Sequence, residues 1–306
     1  MVSRKVVVRI HGGLGNQMFM YAFGRAFALR HKAQLVVDPS INFEWGYSDT
    51  LANPVRRYEL EKVFSLRPAM LPHAKLQEII HFPRLARVTR FNKAFPILVG
   101  KTGYWRYVRE RHFQFDLGIY NMDLAGRVYF AGYWQSEKYF KEQEAEIRKD
   151  FAFRHPLQER HNEIVRAIDS SNSVCLHVRR GDTVRNPATG PSFNVHDQAY
   201  FDRAVALMKE RVGRNIKVFI FSDEIGWCRG NFRVDAECLF IEEQETRYAL
   251  QLMASCKHFI IPTSTLSWWG AWLSNYGNKT VIAPKTWFND PKIDTRDICP
   301  ERCLKI

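Results

Sequence analysis

Ser173-Val174-Cys175-Leu176-His177-Val178-Arg179-Arg180-Gly181-Asp182 passes from an apolar, partly β-branched run straight into His, Arg, Gly and Asp. Ser173 to Val178 reads as a buried strand, so the charge falls at the strand's C-terminal edge. Open α/β sheets bind ligands just outside those edges. Two guanidinium groups there suit a phosphate, because each is planar, permanently charged and able to donate two bonds at once. A surface ion pair between Arg180 and Asp182 is the plain alternative.

Downstream of this stretch the pattern is regular. Strands over 173–179, 215–222, 237–241, 257–262 and 280–284 alternate with helices over about 197–212, 245–256 and 265–276 and one short helix. Such alternation predicts a parallel sheet with helices on both faces. Upstream, a strand Lys5 to Ile10, a loop His11-Gly12-Gly13-Leu14-Gly15-Asn16-Gln17, a helix Met18 to about His31 and a strand Gln34 to Val37 form a βα unit. The loop invites a dinucleotide-binding reading with Asp38 on the ribose. However, Met18 stands where the third glycine of that fingerprint belongs. What remains is a glycine-rich turn into a helix N-terminus, where backbone N–H groups can face an anion or a sugar.

From Pro39 to Arg127 the periodicity is poor. Within it, Arg84 to Arg111 is dense in Lys and Arg, interleaved with Phe91, Phe95, Tyr104, Trp105 and Tyr107, and holds Glu110 as its single acid. Such a face suits anionic lipid or, less well, nucleic acid, and is otherwise solvated surface. Arg127 to Trp134 then reads as a strand, Ser136 as the cap of a helix running to about Asp150, and Leu157 to Asp169 as another helix. Tyr133, Trp134 and Gln135 fall at the strand's C-terminal edge, where aromatic faces can meet sugar C–H groups or pack in the core. The chain of 306 residues, 46% hydrophobic, has material for two cores. The expected architecture is α/β, two Rossmann-like domains facing across a cleft, with residues 1–155 forming the N-terminal domain and 156–306 the C-terminal one.

A net charge of +13 points to an anionic partner. Met1 to Lys5 runs directly into Val6-Val7-Val8, so no secretory leader is expected, and no apolar run reaches the length of a membrane span. The six cysteines are scattered and read as the reduced thiols of a cytoplasmic protein. There is no Asp-x-Asp pair to hold Mn or Mg on a sugar-nucleotide diphosphate, no Gly-x-x-x-x-Gly-Lys-Ser/Thr loop and no Gly-x-Ser-x-Gly elbow.

Two further strand ends converge with His177–Asp182. Phe221-Ser222-Asp223-Glu224 delivers two carboxylates that can accept guanine N–H protons, bind a ribose, or cap a helix. Pro262-Thr263-Ser264-Thr265-Leu266-Ser267-Trp268-Trp269-Gly270 is a hydroxyl-rich turn opening a helix, which makes a phosphate seat without a metal. Asp38, Glu44, Asp116 and Glu137 all remain open as a general base.

Four segments together resemble glycosyltransferase family 11, the galactoside α-1,2-fucosyltransferases, in their bacterial form. They are Gly12-Gly13-Leu14-Gly15-Asn16-Gln17-Met18-Phe19, Gly132 to Tyr139, His177 to Asp182, and Leu252 to Ile261 running on through Ser267-Trp268-Trp269-Gly270-Ala271-Trp272. Pro262-Thr263 departs from the Ala-Asn frequent there. The resemblance implies a GT-B fold, GDP-L-fucose as donor, a terminal β-galactoside acceptor, inversion at the anomeric carbon, and no metal cofactor. It implies Arg179 as the catalytic residue on the β-phosphate, with Arg180 supporting it. His177, Asp182 and Asp223 would fix the nucleotide, Ser264 and Thr265 the phosphate, and Asn16 would face the diphosphate from the other domain. Trp134, Gln135 and Glu137 fall on the acceptor side. A cytoplasmic enzyme touching the inner face of an anionic membrane, acting on soluble or lipid-linked glycans, would suit the basic stretch. Another GDP-sugar or linkage, and a nucleotide- or glycan-binding protein without turnover, are the rival readings; nucleic acid is not expected as a partner.

Overall fold

A computed structural model of the chain describes residues 4–40, 57–71, 96–98, 104–181, 184 and 196–306. Asp182, Glu44 and most of the basic stretch from Arg84 lie outside the described residues. The chain divides into two compact units, one ending at Ala152 and one running from Phe153 to Ile306.

The first unit is built on six strands: β1 (Lys5–Arg9), β2 (Gln34–Asp38), β3 (Ala69–Met70), β4 (Pro96–Leu98), β5 (Tyr104–Arg109) and β6 (Arg127–Ala131). Their order is β3-β2-β1-β6-β5-β4, and every neighbouring pair is parallel except β4 with β5. Val6, Val7 and Val8 are fully buried, as a strand covered on both faces requires. The helix Leu14–Arg30 lies against β1. Its close approach is made at Gly24, where a Cβ would stand 2.9 Å from Val8 Cγ1. The glycine that the dinucleotide fingerprint lacks at Met18 is thus supplied farther along the same helix.

Several boundaries differ from expectation. The helix begins at Leu14, not Met18, because Gly13 is extended and takes the N-cap position. The segment after Ser136 is not one helix: two 3₁₀ turns, Glu137–Tyr139 and Lys141–Gln143, precede the helix Glu144–Asp150. Phe140, at φ −133°, breaks the run, and its buried ring meets Phe19. The helix expected from Leu157 begins as a 3₁₀ turn, Glu159–His161, and becomes regular over Asn162–Asp169. β5 arises in the stretch that showed no usable period.

The second unit holds β7 (Ser173–Val178), β8 (Lys217–Ser222), β9 (Glu237–Phe240), β10 (His258–Ile260), β11 (Val281–Ala283) and β12 (Leu304–Lys305). The order β12-β11-β10-β7-β8-β9 is wholly parallel. In sequence terms this is the 3-2-1-4-5-6 order of a doubly wound sheet read from its far edge, with the switch point between β7 and β10. One core cluster joins Val174, Leu176 and Val178 of β7 to Val218 and Ile220 of β8 and to Tyr200, Phe201, Ala204, Val205 and Met208 of the helix Gln198–Val212. The even-numbered residues of β7 therefore face that helix. Cys175 and His177 point to the opposite face of the sheet.

Candidate active site

The alternation along β7 continues past its end and separates the two arginines. Arg179 shares the His177 face, and its Nη1 lies 2.8 Å from Asp223 Oδ2. Arg180 shares the Val178 face. Its Nε donates to Glu224 Oε2 at 3.0 Å, and its guanidinium lies 3.5 Å from the centre of the Trp227 ring. Asp223 and Glu224 follow β8 with the same parity, since Val178 is in register with Ser222. Each arginine therefore meets the carboxylate on its own side. The backbone N–H of Arg180 donates to Asp223 Oδ1 at 3.0 Å, so one carboxylate holds both the Arg179 side chain and the main chain that follows it. Gly181 makes room for this: a Cβ there would lie 2.5 Å from Asp223 Oδ2.

The two arginines, expected to grip one phosphate together, are thus drawn to two different carboxylates. Arg179 remains at the switch-point edge, whereas Arg180 is turned to the other face by strand alternation.

His177 is 4% exposed, and its Nδ1 is buried without a hydrogen-bond partner among the described residues. Burial pulls its pKa down to about 4, Arg179 adds to the lowering, and Asp223 opposes it. A neutral imidazole whose Nδ1 has no partner among the described residues thus sits two residues before Arg179 on the same face of the strand. Across the switch point, β10 leads through Pro262 and Thr263 to the helix Thr265–Leu273. Ser264 stands at its N-cap, yet its hydroxyl caps no helix N–H. The helix start is anchored instead by Trp268, whose Nε1 donates to Ile298 O at 2.8 Å, and by Ser267, whose hydroxyl donates to Ser264 O at 3.2 Å. Tyr200 ties the helix Gln198–Val212 to the end of β10 by donating to Ile261 O at 2.7 Å.

In the first unit the switch point lies between β1 and β6, and the motifs after those strands meet there. Gln135 Nε2 donates to Asn16 Oδ1 at 2.9 Å. Gly12, at φ +73°, turns the loop, and a Cβ on it would stand 3.0 Å from Asn16 Nδ2. Gln17 is structural: its amide donates to Gly12 O and Arg57 O at 2.8 and 2.7 Å and accepts from Glu59 N at 2.9 Å. His11 and Tyr133 meet edge to face at 4.8 Å.

Trp134 does not serve as an acceptor platform here. It is 1% exposed, lies flat on Phe23 at 4.2 Å, and belongs to an aromatic core with Phe130 and Tyr139. Its φ of +54° marks a strained turn. That turn is braced by Glu110, whose carboxylate accepts from Tyr133 N at 2.5 Å and Trp134 N at 2.9 Å. Burial pushes the Glu110 pKa up to about 7 against the pull of those two N–H groups. Sequence reasoning passed over Glu110, although its being the lone acid in a basic stretch was a signal. Gln135 and Glu137 are buried as well. Among the candidate bases, Asp116 caps the turn Leu117–Tyr120 through Ile119 N at 3.1 Å. Asp38 is 1% exposed and accepts from Tyr129 Oη at 2.5 Å and Ser40 N at 3.0 Å. Both carboxylates are thus engaged in holding the fold.

Two Rossmann-like units, each with polar motifs gathered at its switch point, are the architecture of the GT-B class. The chain belongs to glycosyl transferase family 11, whose sequence model matches residues 5–300. It is 32% identical to an α-1,2-colitosyltransferase of Escherichia coli over 98% of both chains. It is also 29% identical to the Escherichia coli O-antigen biosynthesis glycosyltransferase WbnK, over 91% of this chain and 93% of that one. Arabidopsis thaliana FUT1, solved as a variant in complex with GDP, shares the fold with a TM-score of 0.50 at 11% identity, over 91% of this chain and 70% of that one. Among the described residues no helix is long and apolar enough to cross a membrane.

Proposed function

We propose that this glycosyltransferase moves L-fucose from GDP-L-fucose to the 2-hydroxyl of a terminal β-galactoside, with inversion and without a metal cofactor. The observation that carries the reading is Arg179, held by Asp223 at the C-terminal end of β7 beside the switch point, with the uncapped helix start at Ser264 on its other side. In the reaction the bond between the sugar's anomeric carbon and the β-phosphate oxygen breaks, and GDP leaves with the electron pair. The acceptor oxygen forms the new bond, and its proton passes to solvent or to the departing phosphate. Negative charge grows on the departing phosphate, so a preorganised guanidinium and the N–H donors of a helix start stabilise the transition state more than the ground state. His177, neutral and with Nδ1 unused, would hydrogen-bond the nucleotide, together with Asp223 and Asp182. Ser264 and Thr265 would donate to phosphate. Asn16 and Gln135 mark the acceptor-side unit.

A colitosyl donor is the second reading, favoured by the 32% identity to a transferase of that sugar. One experiment separates the two. The protein is incubated with GDP-fucose or GDP-colitose and a panel of β-galactosides in EDTA, and GDP release and product linkage are measured. An α-1,2-fucosylated galactoside supports the first reading. Colitose transfer alone replaces it, and an absolute need for added metal overturns the role given to Arg179 in place of a cation.

A further inference from the structure

We infer that Trp227 and Glu224 are positioning residues for the transfer step: they hold Arg180 as a strut that sets the main chain of residues 179–181, and through it Arg179, instead of leaving Arg180 free to bind phosphate. The inference rests on the proposed role of Arg179 and goes beyond it to residues outside the family motif.

Strand parity puts the Arg180 side chain on the face of β7 opposite His177 and Arg179. On that face it is fixed from two directions. Glu224 takes its Nε at 3.0 Å, and Trp227 covers its guanidinium at 3.5 Å, within the range of a cation–π contact. Both partners come from the turn and helix that follow β8, with Trp227 in the helix Ile225–Asn231. Glu224 is itself fixed, since its N–H donates to Ser222 Oγ at 3.0 Å. The Arg180 side chain and Trp227 also wall a cavity of about 360 Å³, with Val178, Phe201 and Phe232. Paired through Nε and laid over an indole, the Arg180 guanidinium is held on its own face of the strand, away from Arg179.

What Arg180 does offer the reaction is its backbone. Its N–H binds the same Asp223 carboxylate that holds Arg179 Nη1. A shift of the 180 backbone therefore shifts Asp223 and, with it, the guanidinium that meets the leaving group. Trp227, 37% exposed and on the far face, has no route to phosphate of its own. Its replacement consequently tests the strut without touching the donor.

In the full-length protein, Trp227→Ala, Trp227→Phe, Arg180→Ala and the Trp227→Ala/Arg180→Ala double variant are compared by hydrogen exchange in the peptide spanning β7 and residues 179–181, by donor KM and kcat, and by GDP affinity. The strut predicts faster exchange there, by about tenfold, in Trp227→Ala and Arg180→Ala, and recovery in Trp227→Phe, which restores an aromatic face. It predicts a kcat loss on the order of tenfold with donor KM within about threefold, and a double variant no worse than the worse single one. Exchange and kcat unchanged in Trp227→Ala, with GDP affinity lost in Arg180→Ala, would make Arg180 a direct phosphate ligand and overturn the inference. Failure of the wild-type protein to bind GDP would sink the proposed function, while the exchange comparison still decides whether the strut exists.

Discussion

At the residue scale the two adjacent arginines differ more than their sequence suggests. Arg179 has its carboxylate on the switch-point side, and under the proposed mechanism removing its guanidinium would leave the growing charge on the leaving phosphate without its fixed cation. Arg179→Ala is expected to lower kcat by at least about a hundredfold, the scale of losing one preorganised donor to a developing oxyanion. Arg179→Lys keeps the charge but not the fork, and is expected to recover only part of that loss. Turnover near the wild-type value in a folded Arg179→Ala protein would remove it from the mechanism. That Arg179, His177 and Asp223 gather at one edge of the sheet was readable from the sequence, because each follows or ends an apolar run that forms a parallel strand. The separate fate of Arg180 was written in the strand's period of two, but it needed the partners Glu224 and Trp227, over forty residues away, to become visible. Trp134 misled because a Trp at a strand edge suits a sugar and a core equally well. Only the flat contact with Phe23, from a helix more than a hundred residues earlier, decides between them.

At the scale of elements, two positions depend on what a turn or helix start has room for. Gly181 lies against Asp223 so closely that Gly181→Ala must push the carboxylate aside. A displacement of that kind is expected to cost kcat on the order of tenfold to a hundredfold while the sheet, whose core lies below the turn, keeps its melting temperature within a few degrees. A Gly181→Ala protein with unchanged kcat would show that the Asp223–Arg179 pair tolerates movement. Ser264 makes the opposite case. Its hydroxyl caps nothing, so Ser264→Ala is expected to cost less than about 0.5 kcal/mol, against about 1 kcal/mol for a cap that makes its bond. If the hydroxyl serves the donor phosphate, donor KM rises in the same variant. Lost stability without a change in KM would assign it to the fold instead. Apart from the two-residue β12, which no pattern marked, the strands and the longer helices from β7 on were legible to within a few residues because they alternate cleanly. In the first unit β5 was not, since its run Tyr104–Arg109 is aromatic and basic and gains its place only by pairing with β6. The break at Phe140 was equally hidden, because it is caused by where one ring is buried.

At the scale of the whole molecule, buried titratable groups make the two units respond differently to acid. His177 and His196 belong to the second unit, and burial pulls each pKa from 6.5 to about 4. A depressed folded-state pKa means that the unfolded chain binds the proton first. The stability these groups contribute is complete above pH 6.5 and is lost as pH falls toward 4. In the first unit His11 behaves the same way, with its pKa lowered to about 4 by burial and by Arg9. Glu110 opposes it there. Its folded-state pKa is raised from 4.5 to about 7, so it contributes stability that is full below pH 4.5 and lost as pH rises through 7. Acidification from pH 7 to 4.5 therefore removes support from the second unit without an offset, and in the first unit exchanges one contribution for another. Hydrogen exchange followed by peptide at pH 7 and pH 5, corrected for the intrinsic rate, is expected to show protection falling further in β7 and β8 than in β1 and β6. Glu110→Gln should narrow the difference, because a neutral amide no longer gains from acid and the first unit then loses its His11 contribution unopposed. Equal losses in the two units of the wild-type protein would mean that the carboxylate under the Tyr133–Trp134 turn is held charged by its two N–H donors, and that the brace is independent of pH.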